Sequence, residues 1–163
     1  MMLRELELAD ALSVVSRMRD QDRACVRALL DDITNEAFAV NRWQAHGAAW
    51  SMVDEAGLPW AIGGVNLPNS WMGIFWLVVA EGLPLESWRK LMRHTGNMLV
   101  NARDRGSSVY RHRIEAHVLA DWPEAQKLVG RLGFIHEGTR EGAGRNGEAI
   151  QVWAIVGPVK ASA

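Results

Sequence analysis

Glu115 and His117 lie two positions apart in a stretch, residues 109–119, that alternates apolar and polar side chains. Side chains two apart on a β-strand point to the same face, so we expect the carboxylate and the imidazole side by side. Glu and His are residue types that often act as general bases, and His117 could take a proton from an ammonium group through a water molecule. The pair also fits two solvated or hydrogen-bonded strand residues without a catalytic role. The sequence leaves both interpretations open.

The histidines and the cysteine do not form a metal-binding pattern. His112 and His117 are five positions apart on one strand, so they point to opposite faces. Cys25 is the only cysteine, which excludes a disulfide within the chain and a Cys-rich zinc site. No metal cofactor is predicted.

The charge balance argues against nucleic acid or a membrane as partner. The sequence has eighteen Lys and Arg residues and nineteen Asp and Glu residues, which gives a net charge of −1 and a pI of about 6.5. The basic run at 103–113 is interpreted as solvated charge, with contact to a phosphate or an acidic partner as the alternative. The N-terminus lacks the apolar core of a signal peptide, and no apolar run reaches the ~18 residues of a membrane span. A cytoplasmic location is expected.

Composition and length fit one globular domain. Of the 163 residues, 48% are hydrophobic and 23% are charged, and we expect a single domain over 1–157 with a frayed tail at 158–163. Tryptophan is over-represented, with eight residues against one tyrosine and three phenylalanines. Trp76, Trp88 and Trp153 fall in periodic apolar runs and are predicted to be core residues. The other five lie near element ends, where they either pack or contribute to a partner surface.

The periodicity of apolar residues predicts alternating strands and helices. The order is one strand, two or three helices, three strands, a helix, a strand, a helix and two strands. This order is typical of a mixed sheet of six to seven strands, with parallel strands at its centre and antiparallel hairpins at its edges. The predicted strands cover residues 3–8, 49–53, 58–65, 72–79, 109–119, 134–137 and 150–156.

Capping signals predict where the helices begin and end. Asp10 and Asp121 are interpreted as N-caps of the first and last helices. Gly106 and Gly133 are interpreted as the C-terminal signals of the two helices in the second half of the chain. The Asn-Gly pair at 146–147 signals the last hairpin. The predicted helices cover residues 10–18, 20–32, 34–44, 85–105 and 121–133.

Residues 121–134, D-W-P-E-A-Q-K-L-V-G-R-L-G-F, resemble the last helix of the GCN5-related N-acetyltransferase superfamily. The matching positions are Ala125, Leu128, Arg131, Gly133 and Phe134. Residues 137–138 and 150–153 are similar to the closing hairpin of that superfamily, and the element order agrees over nearly the whole chain. The resemblance implies an α/β (α+β) fold of the acyl-CoA N-acyltransferase type. It also implies that two parallel middle strands, here 73–79 and 109–119, splay apart.

In this superfamily acyl-CoA binds in the gap between the splayed strands, and its pyrophosphate lies on the N-terminus of the following helix. Unpaired N–H groups and the helix dipole favour an anion there. The resemblance therefore implies acetyl-CoA or another acyl-CoA as cofactor, an amine as acceptor, and Glu115 and His117 as catalytic candidates. The cofactor-binding positions that it implies are Leu77, Val78, Val79, Leu85, Glu86, Ser87, Arg89, Asp121 and Lys127.

Two features differ from the superfamily pattern. The stretch before the long helix, A-E-G-L-P-L-E-S, has one glycine where a Gly-x-Gly phosphate loop is usual, and it carries Glu81 and Glu86. Val129 occupies the position of the usual general-acid tyrosine, and the single tyrosine, Tyr110, lies at the start of a strand. A protein that keeps the fold without catalysis is therefore the alternative interpretation.

A narrower resemblance is to small acetyltransferase-like proteins of short-tailed phages, the internal virion protein A type. Its basis is the stretch Arg17-Met18-Arg19, the pair Asp22-Arg23 and the hairpin at 50–65. This resemblance implies a phage-encoded protein that is made in the host cytoplasm and is associated with the virion, with a phage or host protein as partner. It also implies the alternative function, a structural or assembly protein that acts through protein–protein contacts.

Overall fold

The computed structural model describes residues 1–158, so the tail predicted at 158–163 lies almost entirely outside the described residues. The elements follow the predicted order. The strands are β1 (Met2–Glu5), β2 (Gly47–Val53), β3 (Pro59–Asn66), β4 (Met72–Val79), β5 (Arg113–Leu119), β6 (Ile135–Arg140) and β7 (Ile150–Val156). The helices are α1 (Leu8–Ser16), α2 (Asp20–Leu29), α3 (Asn35–Gln44), α4 (Leu85–Arg103) and α5 (Pro123–Arg131).

The strands form one seven-stranded mixed sheet in the order β1-β2-β3-β4-β5-β7-β6. The pair β4–β5 is parallel and the other neighbouring pairs are antiparallel. Helix α4 connects the two parallel strands, as a crossover between parallel neighbours requires. The predicted α+β class, with a mixed sheet and parallel strands at its centre, is confirmed.

Each face of the sheet is covered by its own set of helices. On one face, α4 and α5 bury Leu99, Ala102 and Val129 against β4 and β5. On the other face, α1 and α3 bury Val14 and Phe38 against β3 and β4. Helix α2 packs near β5 and β7 through Ala28, Leu119 and Ile150, with Cys25 beside them. The three tryptophans predicted as core, Trp76, Trp88 and Trp153, are half-buried against these clusters.

Asp10 is not a helix cap, contrary to the prediction. Helix α1 begins at Leu8, after Glu7, and Asp10 lies inside its first turn with 3% of its surface exposed. Its carboxylate accepts hydrogen bonds from Arg4 Nε at 2.9 Å and from the hydroxyl of Ser51 on β2 at 2.5 Å. Asp10 therefore fixes α1 to the sheet, which is a tertiary role that a local capping pattern does not reveal.

The segment between α4 and β5 is longer than predicted. Helix α4 ends at Arg103, with Asp104 as its C-cap instead of Gly106. Oδ1 of Asp104 accepts a hydrogen bond from the Gly106 amide at 2.9 Å. The amide of Tyr110 donates a hydrogen bond to the Ser107 carbonyl at 3.2 Å. These turns delay the start of β5 to Arg113.

The ends of α5 and the last hairpin also differ in detail. Trp122, not Asp121, is the N-cap of α5, because Pro123 occupies the first helical position. After the helix, Gly133 has φ of +95°, which confirms the left-handed conformation expected of a terminal glycine. Strands β6 and β7 do form a hairpin, but residues 141–149 connect them in place of a tight two-residue turn.

Candidate active site

The two parallel strands separate after a short paired stretch. Their register joins Met72 to Arg113, Gly73 to Ile114 and Ile74 to Glu115, and no further pair follows along these described strands. The C-terminal halves of β4 and β5 therefore border a gap in the sheet. The predicted splay is present.

The backbone of β4 turns polar groups toward this gap. In the antiparallel pair with β3, the Ala80 amide donates to the Trp60 carbonyl at 2.8 Å. Backbone groups alternate between the two sides of a strand, so those of Leu77 and Val79 point away from β3. They point toward β5 and the gap.

A cleft of about 1390 Å³ opens at the gap and continues between α4 and α5. Of the predicted site residues, His117, Leu77, Val78, Leu85, Arg89 and Lys127 line this cleft. The remaining ones, Glu115, Val79, Glu86, Ser87 and Asp121, are not part of its lining. The cleft thus brings together the end of β4, the start of α4, the middle of β5 and one side of α5.

The first turn of α4 has few side-chain features that suit an anion. Pro84 is the N-cap and offers no side-chain hydrogen bond, and Glu86 adds a negative charge to the first turn. The amides of Ser87 and Trp88 both donate to the Pro84 carbonyl, at 2.9 and 3.3 Å. The amides of Leu85 and Glu86 remain as the donors that a helix start presents outward.

Glu115 and His117 form a hydrogen-bonded pair on the face of β5 opposite to α4 and α5. His117 Nε2 lies 2.8 Å from Oε2 of Glu115, and the Arg113 Nε donates to Oε1 at 2.6 Å. Arg113 also binds Glu137 of β6 through both terminal nitrogens, at 3.1 and 2.5 Å. The row Glu137–Arg113–Glu115–His117 therefore runs from the edge of the sheet to the cleft. The predicted shared face of Glu115 and His117 is confirmed, and Arg113 lies on the same face.

The protonation of this pair follows from its partners. Glu115 is 8% exposed, and this burial raises its pKa. The hydrogen bonds from His117 and Arg113 lower the pKa by more than burial raises it, so the pKa lies below its ordinary value. The carboxylate is therefore ionised at neutral pH and can only accept hydrogen bonds, so Nε2 of His117 carries the hydrogen. In the neutral imidazole, Nδ1 is then the basic atom.

Sequence reasoning missed half of a cationic groove between the two helices that flank the cleft. Arg89 and Arg93 lie four residues apart on α4, and Lys127 and Arg131 lie four apart on α5, so each pair shares a helix face. All four line the cleft. Within residues 1–158 none of them takes part in an ion pair. The i, i+4 spacing of cations on both helices was the signal that could have found Arg93 and Arg131.

The tyrosine and its expected position lie in different places. Val129 lines the cleft but is only 4% exposed and packs in the core. Tyr110 is buried in the segment before β5, where its hydroxyl donates to the carbonyl of Pro158, and it does not line the cleft.

The described residues contain no metal-binding cluster and no membrane span. Over residues 1–158 no group of three or more His, Cys, Asp or Glu side chains is placed to hold a metal ion. Cys25 is half-buried, and burial raises the pKa of its thiol to about 11. No helix in this part of the chain is long and apolar enough to cross a membrane.

The chain is similar to known proteins in structure, at low sequence identity. No family model and no curated protein matches the chain. Several solved structures do match. One is yncA from Salmonella typhimurium, a putative acetyltransferase determined with its cofactor acetyl-CoA. It has a TM-score of 0.71 and 15% identity, and the match covers 100% of this chain and 97% of that chain. A variant of the spermidine N-acetyltransferase SpeG from Vibrio cholerae has a TM-score of 0.70 and 14% identity, with coverage of 96% and 95%. A ribosomal-protein-alanine N-acetyltransferase from Escherichia coli has a TM-score of 0.68 and 16% identity, with coverage of 99% and 97%.

The fold of this chain is therefore that of the GCN5-related N-acetyltransferases. At these identities the likeness concerns the fold, and function has to be argued from the site. The comparisons do not bear on the narrower phage resemblance, which stays a prediction.

Proposed function

We propose that the protein is an acyl-CoA-dependent N-acyltransferase. The observation that carries the proposal is the Glu115–His117 pair, which lies at the gap between the splayed strands. The cationic groove between α4 and α5 opens into the same gap from the opposite face. The base on one face of the sheet suits an amine, and the anion-binding groove on the other face suits an acyl-CoA. The two substrates would meet at the gap between the strands.

The donor half of the site would lie between α4 and α5. CoA carries a pyrophosphate, and Arg89 of α4 and Lys127 of α5 both line the groove and would bind it, together with Arg93 and Arg131. The outward amides of Leu85 and Glu86 add donors at the start of α4. The groove cations thus compensate for the missing glycine loop.

The gap-facing backbone of β4 would hold the reacting end of the acyl-CoA. A bound acyl-CoA supplies a thioester carbonyl that an amine can attack. The N–H groups of Leu77 and Val79 face the gap, where they would align the pantetheine arm and stabilise negative charge on that carbonyl oxygen.

The acceptor half would lie on the face of α2 and α3. His117 Nδ1 would take a proton from the incoming ammonium, directly or through a water molecule, and Glu115 would hold the ring and balance its positive charge. The C–N bond then forms and the C–S bond breaks. The nitrogen gives its second proton to solvent, and CoA leaves as the thiol with a proton from solvent, because Val129 offers none. Glu115 is a positioning residue in this scheme and His117 is the base.

The test is an acetyl-transfer assay that measures CoA release with a panel of amines. The panel includes spermidine and an alanine peptide with a free amino group, because two of the similar structures are named as a spermidine N-acetyltransferase and a ribosomal-protein-S18-alanine N-acetyltransferase. We expect turnover with at least one amine and a loss of about 100-fold in kcat for His117→Gln. The matched control is His136→Gln, since His136 lies on β6 against Trp153 and outside the cleft. Turnover that His117→Gln leaves unchanged would contradict the assignment.

The second candidate is a protein that uses the fold for contacts instead of catalysis. The negative charge of Glu86 in the first turn of α4 favours it, because a carboxylate there competes with a phosphate for the helix dipole. Trp43 and Trp71 are 46% and 55% exposed and would serve such contacts. On the phage resemblance, this candidate would be a virion-associated or assembly protein made in the host cytoplasm. Absence of turnover in the assay above, together with absence of acetyl-CoA binding in a calorimetric titration, would support it.

A further inference from the structure

The segment that joins α1 to α2 pairs with the gap-facing edge of β4 as a short extra strand. Met18 and Ala80 form an antiparallel bridge. The amide of Arg19 donates to the Val79 carbonyl at 3.4 Å, and the amide of Glu81 donates to the Arg17 carbonyl at 2.8 Å. Residues 17–19 therefore occupy part of the backbone edge that the proposed acyl-CoA site would use.

Asp22, in the first turn of α2, extends this contact. Its side chain is buried, and Oδ2 accepts a hydrogen bond from Arg19 Nε at 2.6 Å. The Val79 amide also interacts with this carboxylate. Burial raises the pKa of Asp22, and the hydrogen bonds from Arg19 and from the Val79 amide act against that rise. Both gap-facing backbone groups of Val79, the N–H and the C=O, are thus engaged by residues of the chain itself.

The side chain of Arg19 reaches two tryptophans at the starts of α4 and α5, of which Trp122 also packs against Cys25 and Ala28 of α2. Its guanidinium carbon lies 5.1 Å from the ring centre of Trp88 and 5.5 Å from that of Trp122. Trp88 is in the first turn of α4 and Trp122 is the N-cap of α5. The guanidinium therefore fills the space between the starts of the two helices, with a cation–π contact on each side.

We propose that residues 17–22 form a latch that closes the donor half of the cleft, and that acyl-CoA binding displaces Arg19 from between Trp88 and Trp122. The proposal rests on the proposed function and adds a regulatory step to it. A ligand that enters between α4 and α5 and pairs with β4 needs both the space that Arg19 fills and the edge that residues 17–19 cover. Acyl-CoA thus binds an open state, and its apparent affinity is reduced by the fraction of molecules that are closed.

The test compares the affinity for acetyl-CoA of three proteins by titration calorimetry. The latch variant is Arg19→Ala with Asp22→Asn, because removal of Arg19 alone would leave a buried carboxylate without its partner. The control is Asp20→Asn with Arg27→Ala, which changes the same charges on the same helix at two exposed positions that do not line the cleft. We expect the latch variant to bind at least about fivefold more tightly than the wild type and the control to bind like the wild type.

The outcomes separate the latch from the proposed function. If the wild type binds acetyl-CoA and the latch variant binds it no more tightly, the latch is wrong and the proposed function stands. If neither protein binds at millimolar acetyl-CoA, the proposed function fails and the latch fails with it.

Amide hydrogen exchange on the wild type gives a test that does not depend on a variant. Saturating acetyl-CoA should speed exchange of the Arg19 amide, which loses its acceptor on Val79, while the start of α4 becomes more protected. Unchanged exchange at Arg19 with acetyl-CoA bound would overturn the latch.

Discussion

The Nε2 atom of His117 lies 2.8 Å from Oε2 of Glu115, and the other carboxylate oxygen is held by Arg113 at 2.6 Å. Because Arg113 is itself bound to Glu137, the carboxylate has a fixed orientation and a stable negative charge. Side chains that accept a proton from a bound substrate are usually held in place by a neighbouring group, as Glu115 holds His117 here. The pair therefore has a geometry that solvated strand residues do not need.

Substitution of Glu115 tests its role as a positioning residue. Glu115→Gln removes the charge that balances a protonated His117 while keeping an acceptor oxygen. We expect kcat to fall by about tenfold or more, and KM for acetyl-CoA to change by less than about twofold, because Glu115 does not line the cleft. The control is Glu141→Gln, at an exposed position in the β6–β7 connection. Equal kcat for Glu115→Gln and wild type would show that the pair is structural.

The groove cations should determine affinity for CoA. Lys127→Ala removes a charge that lines the groove, and Lys90→Ala removes one from α4 outside it. We expect Kd for acetyl-CoA to rise by about fivefold, or about 1 kcal/mol, for Lys127→Ala and to stay unchanged for Lys90→Ala. The difference should shrink as salt concentration rises, because exposed charges are screened. The same Kd for both variants would place the phosphates elsewhere.

Stability should fall in acid through Asp10. Burial raises the pKa of Asp10, but hydrogen bonds from Arg4 and Ser51 lower it overall below its ordinary value. A carboxyl with a lowered pKa in the folded state stabilises the protein above its unfolded pKa, about 3.9, and this contribution is lost as the pH falls through the lower folded value. We expect Asp10→Asn to cost about 2 kcal/mol at pH 7 and less near pH 3. The measurement is urea unfolding at both pH values, and an equal cost at both would contradict it.

Two glycines near the end of α5 should respond in opposite ways to alanine. Gly133 has φ of +95°, and an added Cβ would meet no atom within 4 Å, so the cost of Gly133→Ala is backbone strain alone. We expect it to lose about 1 kcal/mol of stability. Gly130 lies inside the helix, where an added Cβ would make an ordinary contact with Trp153 at 3.7 Å, so Gly130→Ala should gain up to about 1 kcal/mol. Thermal unfolding of both variants measures this, and a Gly133→Ala protein as stable as Gly130→Ala would refute the strain.

Local sequence patterns predicted the features that depend on near neighbours. The alternation of β5 places Glu115 and His117 on one face, and the glycine after α5 has the expected left-handed conformation. The apolar runs at 72–79 and 150–156 predicted the bounds that β4 and β7 have in the structure.

Contacts between distant residues lay beyond these patterns. Asp10 matches a capping residue by type, but its partners, Arg4 and Ser51, come from two strands. The pairing of Met18 with Ala80 joins a loop to the residue that follows β4, 62 positions later, and nothing in either stretch marks it. The structure was needed to show that a segment of the chain lies at the gap.

The most direct test of the proposed site is titration of acetyl-CoA into the wild-type protein by calorimetry, with CoA as the comparison ligand. We expect saturable binding at one site in the micromolar range, about −8 kcal/mol at 1 µM, with a matching rise in melting temperature. An absence of heat and an unchanged melting temperature at millimolar acetyl-CoA would contradict it.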